Sequence, residues 1–521
     1  MATTPRPARQ PAVLVRSVAT VGSMTLISRL AGFARDVAIA ALLGAGPLAD
    51  AFFVAFKLPN FLRRLFAEGA FNAGFVPLFA RTLEAEGREI ARSFAEQAQA
   101  VMIAILLPLV LIAIPAMPWL IAVFAPGFEA GGERYESAVE LSRITFAYIL
   151  FISLTALYAG VLNSLGRFAA AAAAPIVLNI AMITALGLSA LWLGVPALAL
   201  AWSVAAAGLL QLLWLRIALA RQGITLRLRR PRLSPEIRRL FALIVPGAIG
   251  AGVAQVSLLA DVFFASLLPP GAVSYLYFAD RLAQLPLGVI GVAVGTALLP
   301  LLARQLRAGD IEGALASQNR ALEMALLLTL PAALALIVLA EPIIAALFAR
   351  GAFGPEATRA TSRALAAYAL GLPAYVLVKV LAPGFFARED TKTPVKIAVG
   401  CLIANILIII ALMGPLRHVG IALATALSAW LNAGLLGWLL RRRGLLHLDA
   451  RLRRRLPRIA AATLAMTAAL FAAKPWLQPL PELVGLALLV AIGGLVFLLA
   501  AQLVGALQLH ELRAVLARQR A

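Results

Sequence analysis

The chain has 521 residues, of which 62% are hydrophobic and 13% charged, and its mean hydropathy is +0.93. That is too apolar for a water-soluble domain, and apolar runs near membrane-spanning length recur from end to end. The formal net charge of +22 would suggest nucleic acid as a partner for a soluble protein; here the arginines collect in alternate loops between apolar runs, so the charge is a topology signal and nucleic acid is excluded.

In chain order, the run from Val13 to Ala34 could mimic a secretory leader, but Arg29, Arg35 and Asp36 interrupt it and another span follows at once, so it reads as a retained first helix. Asp50, Lys57, Arg63, Arg64 and Glu68 fall in the second hydrophobic segment. A charge at bilayer depth costs about 2.5 to 3.5 kcal/mol on insertion scales, so such groups face a watery cavity or a partner rather than lipid. Pro59 with the Gly69 to Gly74 stretch interrupts the second segment, and Pro286 with Gly288, Gly291 and Gly295 interrupts the eighth. These breakers mark bent helices whose freed backbone lines a cavity. Asp261 stands in the seventh span, Asp280 and Arg281 just ahead of the eighth, Lys379 in the tenth, and Asn405 and Thr425 in late spans. The pattern predicts an all-α polytopic membrane protein of about fourteen transmembrane helices, centred roughly on residues 28, 65, 107, 149, 181, 208, 252, 288, 330, 370, 403, 430, 463 and 495.

The loops rich in arginine include 81–92, 221–239, 304–307, 441–455 and both chain ends, whereas Gly44 to Leu48 and Pro269 to Ala272 carry no positive charge and Pro126 to Glu136 has only Arg134. The positive-inside rule then places both termini in the cytoplasm and makes the span count even. Short strings also recur in order. Phe56-Lys57-Leu58 matches Asp280-Arg281-Leu282, Val76 to Arg81 matches Leu299 to Arg304, Gly160 pairs with Gly384, Asn179 with Asn405, and Gly208 with Gly434. The offsets all lie at about 223 to 226 residues, so a half-length unit is repeated. Each copy holds an even number of helices and enters from the same side, which predicts two six-helix lobes in a parallel pseudo-two-fold repeat. The expected division is an N-terminal lobe at 1–230, a C-terminal lobe at 231–446, and an accessory helix pair with a cytoplasmic tail at 447–521.

Catalysis has little to stand on. His418, His447 and His510 are far apart and lack metal-ligand spacing, no Walker loop is present, and Cys401 is a single cysteine in an apolar run, so the chain is expected not to be an enzyme. Energy would come from a coupling ion, sodium or proton, or from the membrane potential, with no cofactor. The buried charges admit two readings. Arg29, Arg35, Lys57, Arg63, Arg64 and Arg281 could pair with Asp36, Asp50, Glu68 and Asp280 to fasten the lobes. Alternatively, because bases outnumber acids, they form an anion site in which the acids orient the cations or gate the cavity; planar guanidinium forks suit phosphate oxygens and several could hold a diphosphate. Arg29 and Asp36, seven residues apart, share a helix face. Asp261 could be a protonated, silent carboxyl, a salt-bridge partner, or a coupling-ion ligand with Asn405 and Thr425 supplying neutral oxygens to sodium.

The strings Ser28 to Asp36 (SRLAGFARD), Asp50 to Asn60 (DAFFVAFKLPN), Arg63 to Phe71, Tyr277 to Leu282 and Lys379 to Arg388 with Lys392 to Lys396 resemble the MurJ/MviN family, peptidoglycan lipid II flippases of the multidrug/oligosaccharidyl-lipid/polysaccharide exporter superfamily. The resemblance covers nearly the whole chain. It implies a bacterial inner-membrane protein with a central cationic cavity and a groove beside the accessory pair for the lipid tail. It also implies that lipid II is moved from the cytoplasmic to the periplasmic leaflet by alternating access, with functional weight on Arg29, Arg35, Asp50, Arg63 and Arg281. Lipid II, membrane lipids and the cell-wall synthesis machinery are the implied partners. A sodium site described in some members maps near Asp261, Asn405 and Thr425, although Ile409 stands where such members carry an acid. The rival readings are a flippase for another polyprenyl-diphosphate oligosaccharide, a cation-coupled drug exporter of the same superfamily, and a non-transporting scaffold of the cell-wall machinery. Charge sign opposes the exporter, and the repeat with its broken helices opposes the scaffold.

Overall fold

A computed structural model describes residues 10–63 and 71–507. Arg64 and Glu68 lie outside the described residues. Among those residues the regular structure is helical without strands, as membrane-embedded segments require when every backbone group must be satisfied within its own element. Contacts divide the chain after Gly271 into two compact units.

The first unit holds α1 (Gln10–Leu43), α2 (Pro47–Leu62), α3 (Phe71–Ala113), α4 (Met117–Phe124), α5 (Glu133–Thr145), α6 (Tyr148–Ser164), α7 (Phe168–Leu188), α8 (Pro196–Ala220) and α9 (Pro235–Ser266). Proline in the first turn starts α2, α8 and α9, where its missing N–H costs nothing. Ser234 caps α9 by accepting the Ile237 N–H. Helix α3 bends at Gly87, whose φ of 85° only glycine adopts cheaply. Its core is a run of stacked phenylalanines, Phe71 on Phe75, Phe75 on Phe79 and on Phe94. Helix α1 packs mainly against α7, α2 against α5, and α9 against α3 and α4.

The second unit holds α10 (Ala272–Arg307), α11 (Ile311–Val338), α12 (Ala340–Phe348), α13 (Pro355–Phe386), α14 (Lys392–Arg442), α15 (Ala450–Leu477) and α16 (Glu482–Leu503). Helix α13 is its centre, packed on α10, α11 and α14. The accessory pair α15 and α16 pack on each other, with α15 against α11 and α16 against α12. Packing therefore assigns α9 to the first unit and the accessory pair to the second, whereas the sequence repeat counts α9 as the opening of its second copy.

Nine helices among the described residues are long and apolar enough to cross a membrane. One of them, the 51-residue α14, is broken at Arg417, where φ is 50°, and so carries both spans expected around residues 403 and 430. The paired glycines have a physical basis. A Cβ on Gly160 would lie 3.0 Å from the Phe75 ring, and one on Gly384 would lie 2.8 Å from the Gln318 amide, so both mark close helix contacts. Leucine and tryptophan side chains such as Trp119, Trp192, Trp202 and Trp476 are exposed, as expected of lipid-facing surface.

Candidate functional site

In the first unit the structure brings Arg35, Asp36 and Asn179 together. Arg35 is buried in the C-terminal third of α1. Its Nε and Nη2 donate to Asp36 Oδ1 at 3.0 and 2.7 Å, and its Nη1 donates to Asn179 Oδ1 at 3.0 Å. The Asn179 amide also donates to the Ser28 carbonyl at 3.0 Å and lies against Gly32, where a Cβ would come within 3.5 Å of it. Residues 28, 32 and 35 fall on one face of α1, so a single asparagine of α7 grips two helical turns. Asp36 thus bonds its neighbour Arg35, although spacing alone had put it on the face of Arg29. Arg29 is exposed and makes no hydrogen bond or ion pair among the described residues.

Lys57 is half-buried on α2, and at the end of that helix Arg63 Nε donates to Asn60 Oδ1 at 3.1 Å. In the second unit Arg281 donates to the Tyr277 hydroxyl at 3.2 Å and lies over its ring, while Asp280 accepts from the Gln284 amide. Asp261 is half-buried on α9. Asn405 is buried, and its Oδ1 accepts no hydrogen bond among the described residues, a fit to a cation ligand. Thr425 spends its hydroxyl proton on the Ile421 carbonyl and keeps lone pairs free to bind a cation. Ile409 is a fully buried hydrocarbon side chain. Among the described residues no group of three or more His, Cys, Asp or Glu could hold a metal.

Asp50 has no exposed surface and sits in a second cluster. It accepts the Gly271 N–H at 2.7 Å and lies 3.6 Å from Arg134. Arg134 donates to the carbonyls of Gly127, Leu268 and Ser266 at 3.1, 3.2 and 3.4 Å, and stacks over Phe128 at 4.5 Å. The sequence showed Arg134 only as a lone cation in a loop otherwise free of them, and Asn179 only as half of a repeat pair. Their partners lie too far along the chain for local spacing to reveal.

Outside the spans, Asp390 caps α14 through the Thr393 N–H and hydroxyl and meets Arg443 at 2.8 Å. The Thr393 hydroxyl and the Arg443 guanidinium lower its carboxyl from 3.8 to about 2.

Among the described residues the chain is helical, with nine helices long and apolar enough to cross a membrane, the mark of a multi-pass membrane protein, and its fold resembles that of an inward-facing multidrug resistance MATE family transporter of the MOP superfamily. That match has a TM-score of 0.69 at 18% identity over 84% of this chain and 98% of the other. More specifically, the sequence profile of the family described as Lipid II flippase MurJ matches residues 39–493, and the chain belongs to that family. A probable lipid II flippase MurJ of Rhizobium meliloti is 48% identical over 89% of this chain and 87% of its own length. A solved lipid II flippase MurJ in an inward closed conformation aligns with a TM-score of 0.79 at 26% identity, covering 93% of this chain and 98% of that one.

Proposed function

We propose that this protein flips lipid II from the cytoplasmic to the periplasmic leaflet of the bacterial inner membrane by alternating access, with both termini in the cytoplasm. The observation that carries the reading is Arg29, a cation on an apolar helix that is exposed and lacks a protein partner among the described residues, two turns from the buried Arg35–Asp36 pair. An unmatched guanidinium at that depth is stabilised by an anion, and the diphosphate of lipid II supplies one between a sugar head and a polyprenyl tail.

In this reading Arg29, Arg35, Lys57, Arg63, Arg64 and Arg281 bind the diphosphate and sugar. Asp36 fixes the guanidinium of Arg35, Asp50 gates, and Glu68 and Asp280 orient neighbouring cations. The accessory helices α15 and α16 shelter the tail. Arginine is the suitable residue because its fork meets two phosphate oxygens at once and stays charged when desolvated. Binding releases the phosphate from water into a fixed set of donors, and the loss of that set on reorientation frees it on the other side. Asp261, Asn405 and Thr425 would hold sodium as the coupling ion; a proton on Asp261, or the membrane potential, would do the same work without them. The cell-wall synthesis machinery is the consumer to which the delivered precursor passes.

The test is transport of labelled lipid II in vesicles containing the pure protein, with and without a membrane potential or a sodium gradient. The same vesicles carry an unrelated undecaprenyl-diphosphate oligosaccharide as competitor. Lipid II should flip and the competitor should not displace it. Equal transport of both would replace this reading by a flippase of broader saccharide range, and transport of neither would refute it.

A further inference from the structure

We propose that Arg134 is a positioning residue for the transport step, acting through Asp50 and the turn that joins α9 to α10 rather than through substrate. This rests on the reading of Asp50 as a gating group. The last carbonyls of a helix have no partner within it and carry its partial negative charge. At the end of α9 the Ser266 carbonyl, and just beyond the helix the Leu268 carbonyl, receive N–H donors from Arg134, a side chain of a different segment. Five residues after Ser266, the Gly271 N–H is taken by the fully buried carboxylate of Asp50. One ion pair, supplied by the start of α2 and the start of α5, therefore grips the α9 to α10 turn at both ends.

The grip is built tightly. Gly127 donates its N–H to the Ser266 hydroxyl at 3.2 Å, and a Cβ on Gly127 would overlap the backbone of Ser266 and Leu267, so the loop before α5 lies directly on the turn. Phe128 covers the flat face of Arg134, and only a planar fork can reach three carbonyls and a carboxylate from that position. Lysine carries the charge but not the fork. Arg134 spends its donors on the turn, the Gly127 loop and Asp50, so its loss should spare substrate affinity and slow the movement that follows binding. It is also the one cation of a loop that topology keeps free of them, and this use accounts for its presence.

The experiment separates binding from transport. In vesicles, R134K and R134A should flip labelled lipid II about tenfold more slowly than the parent while binding it within about twofold as tightly. D50N should behave alike, and the pair D50N/R134A should be no slower than the slower single variant, since the two act as one unit. Because R134A removes the cation beside a buried carboxylate at a cost in stability, D50N/R134Q, which removes both charges and keeps neutral hydrogen bonding, serves beside it. A role confined to charge balance would let R134K and D50N/R134Q flip at the parental rate, and either result overturns the proposal. Parallel loss of binding and flipping overturns it as well. If D50N flips at the parental rate, the gating reading of Asp50 falls and takes this inference with it; slow D50N beside parental Arg134 variants removes this inference alone.

Discussion

Arg35 on α1 and Glu323 on α11 are both ions drawn out of solvent in largely apolar helices, and their surroundings are arranged in opposite ways. Arg35 has one carboxylate, Asp36, and one neutral amide, Asn179. Glu323 is met by three arginines, Arg320, Arg451 and Arg455, with Asp449 capping α15 and bonding Arg320 in turn. The Glu323 cluster joins α11 to the first turn of α15 and is over-supplied with charge partners, which suits an anchor. Glu96 on α3 is a second anchor of this kind, a fully buried acid that accepts the Arg227 N–H at 3.1 Å and holds Arg92 and Arg229. A buried acid of α3 thus fastens the arginine-rich segment that follows α8, and one of α11 fastens the segment that follows α14. Glu323 gathers three guanidinium groups whereas Arg35 meets a carboxylate and a neutral amide, and that contrast separates the anchor from the group assigned to chemistry in this chain.

The largest expected effect falls on the anchor. E323A strands Arg455 beside α11 and should cost about 3 kcal/mol, toward the low end for a broken buried pair because Arg320 and Arg451 are partly exposed; thermal unfolding in detergent reads it. Removing both members of a buried pair is far milder than removing one. The variant E323Q/R455M should therefore stay within about 1 kcal/mol of the parent and bind lipid II normally, whereas R35M/D36N should be equally stable yet bind at least about tenfold more weakly. Equal behaviour of the two double variants would erase the distinction. N179A removes the neutral acceptor of Arg35 and should cost about 1 to 2 kcal/mol with a loss of lipid II affinity that disappears in an R35M background. E96Q should cost about 1 kcal/mol and hasten tryptic cleavage between Arg227 and Arg232, since the Arg227 N–H and the Arg229 side chain lose the carboxylate that holds them.

The smallest effect concerns pH. Asp390 has a folded-state pKa of about 2, below its ordinary 3.8, so its contribution to stability is complete above 3.8 and lost as pH falls through 2. Melting of the parent should show no dependence on this group between pH 5 and 8, and the parent and D390N should converge only in strong acid.

Much of this architecture is legible in the chain because hydropathy, the positive-inside pattern and the repeat are local or strictly periodic signals. The apolar runs locate the helices, and the paired Gly160 and Gly384 prove to be close-contact positions. The break at Arg417 falls between the two spans expected around residues 403 and 430, as the apolar runs had placed them. The partners of the site were hidden. Arg35 bonds Asn179 and Asp50 bonds Arg134 across many intervening helices, and which of several acids a given arginine meets is decided by packing that spacing cannot encode.

The central claim is that the unmatched cation of α1 recognises phosphate. The direct measurement is the affinity of the parent and of R29A for lipid II and for an analogue with a single phosphate in place of the diphosphate, with melting recorded in parallel. The account predicts that the parent prefers the diphosphate by at least about tenfold, and that R29A melts like the parent but loses most of that preference. An R29A protein that keeps the full preference would contradict it.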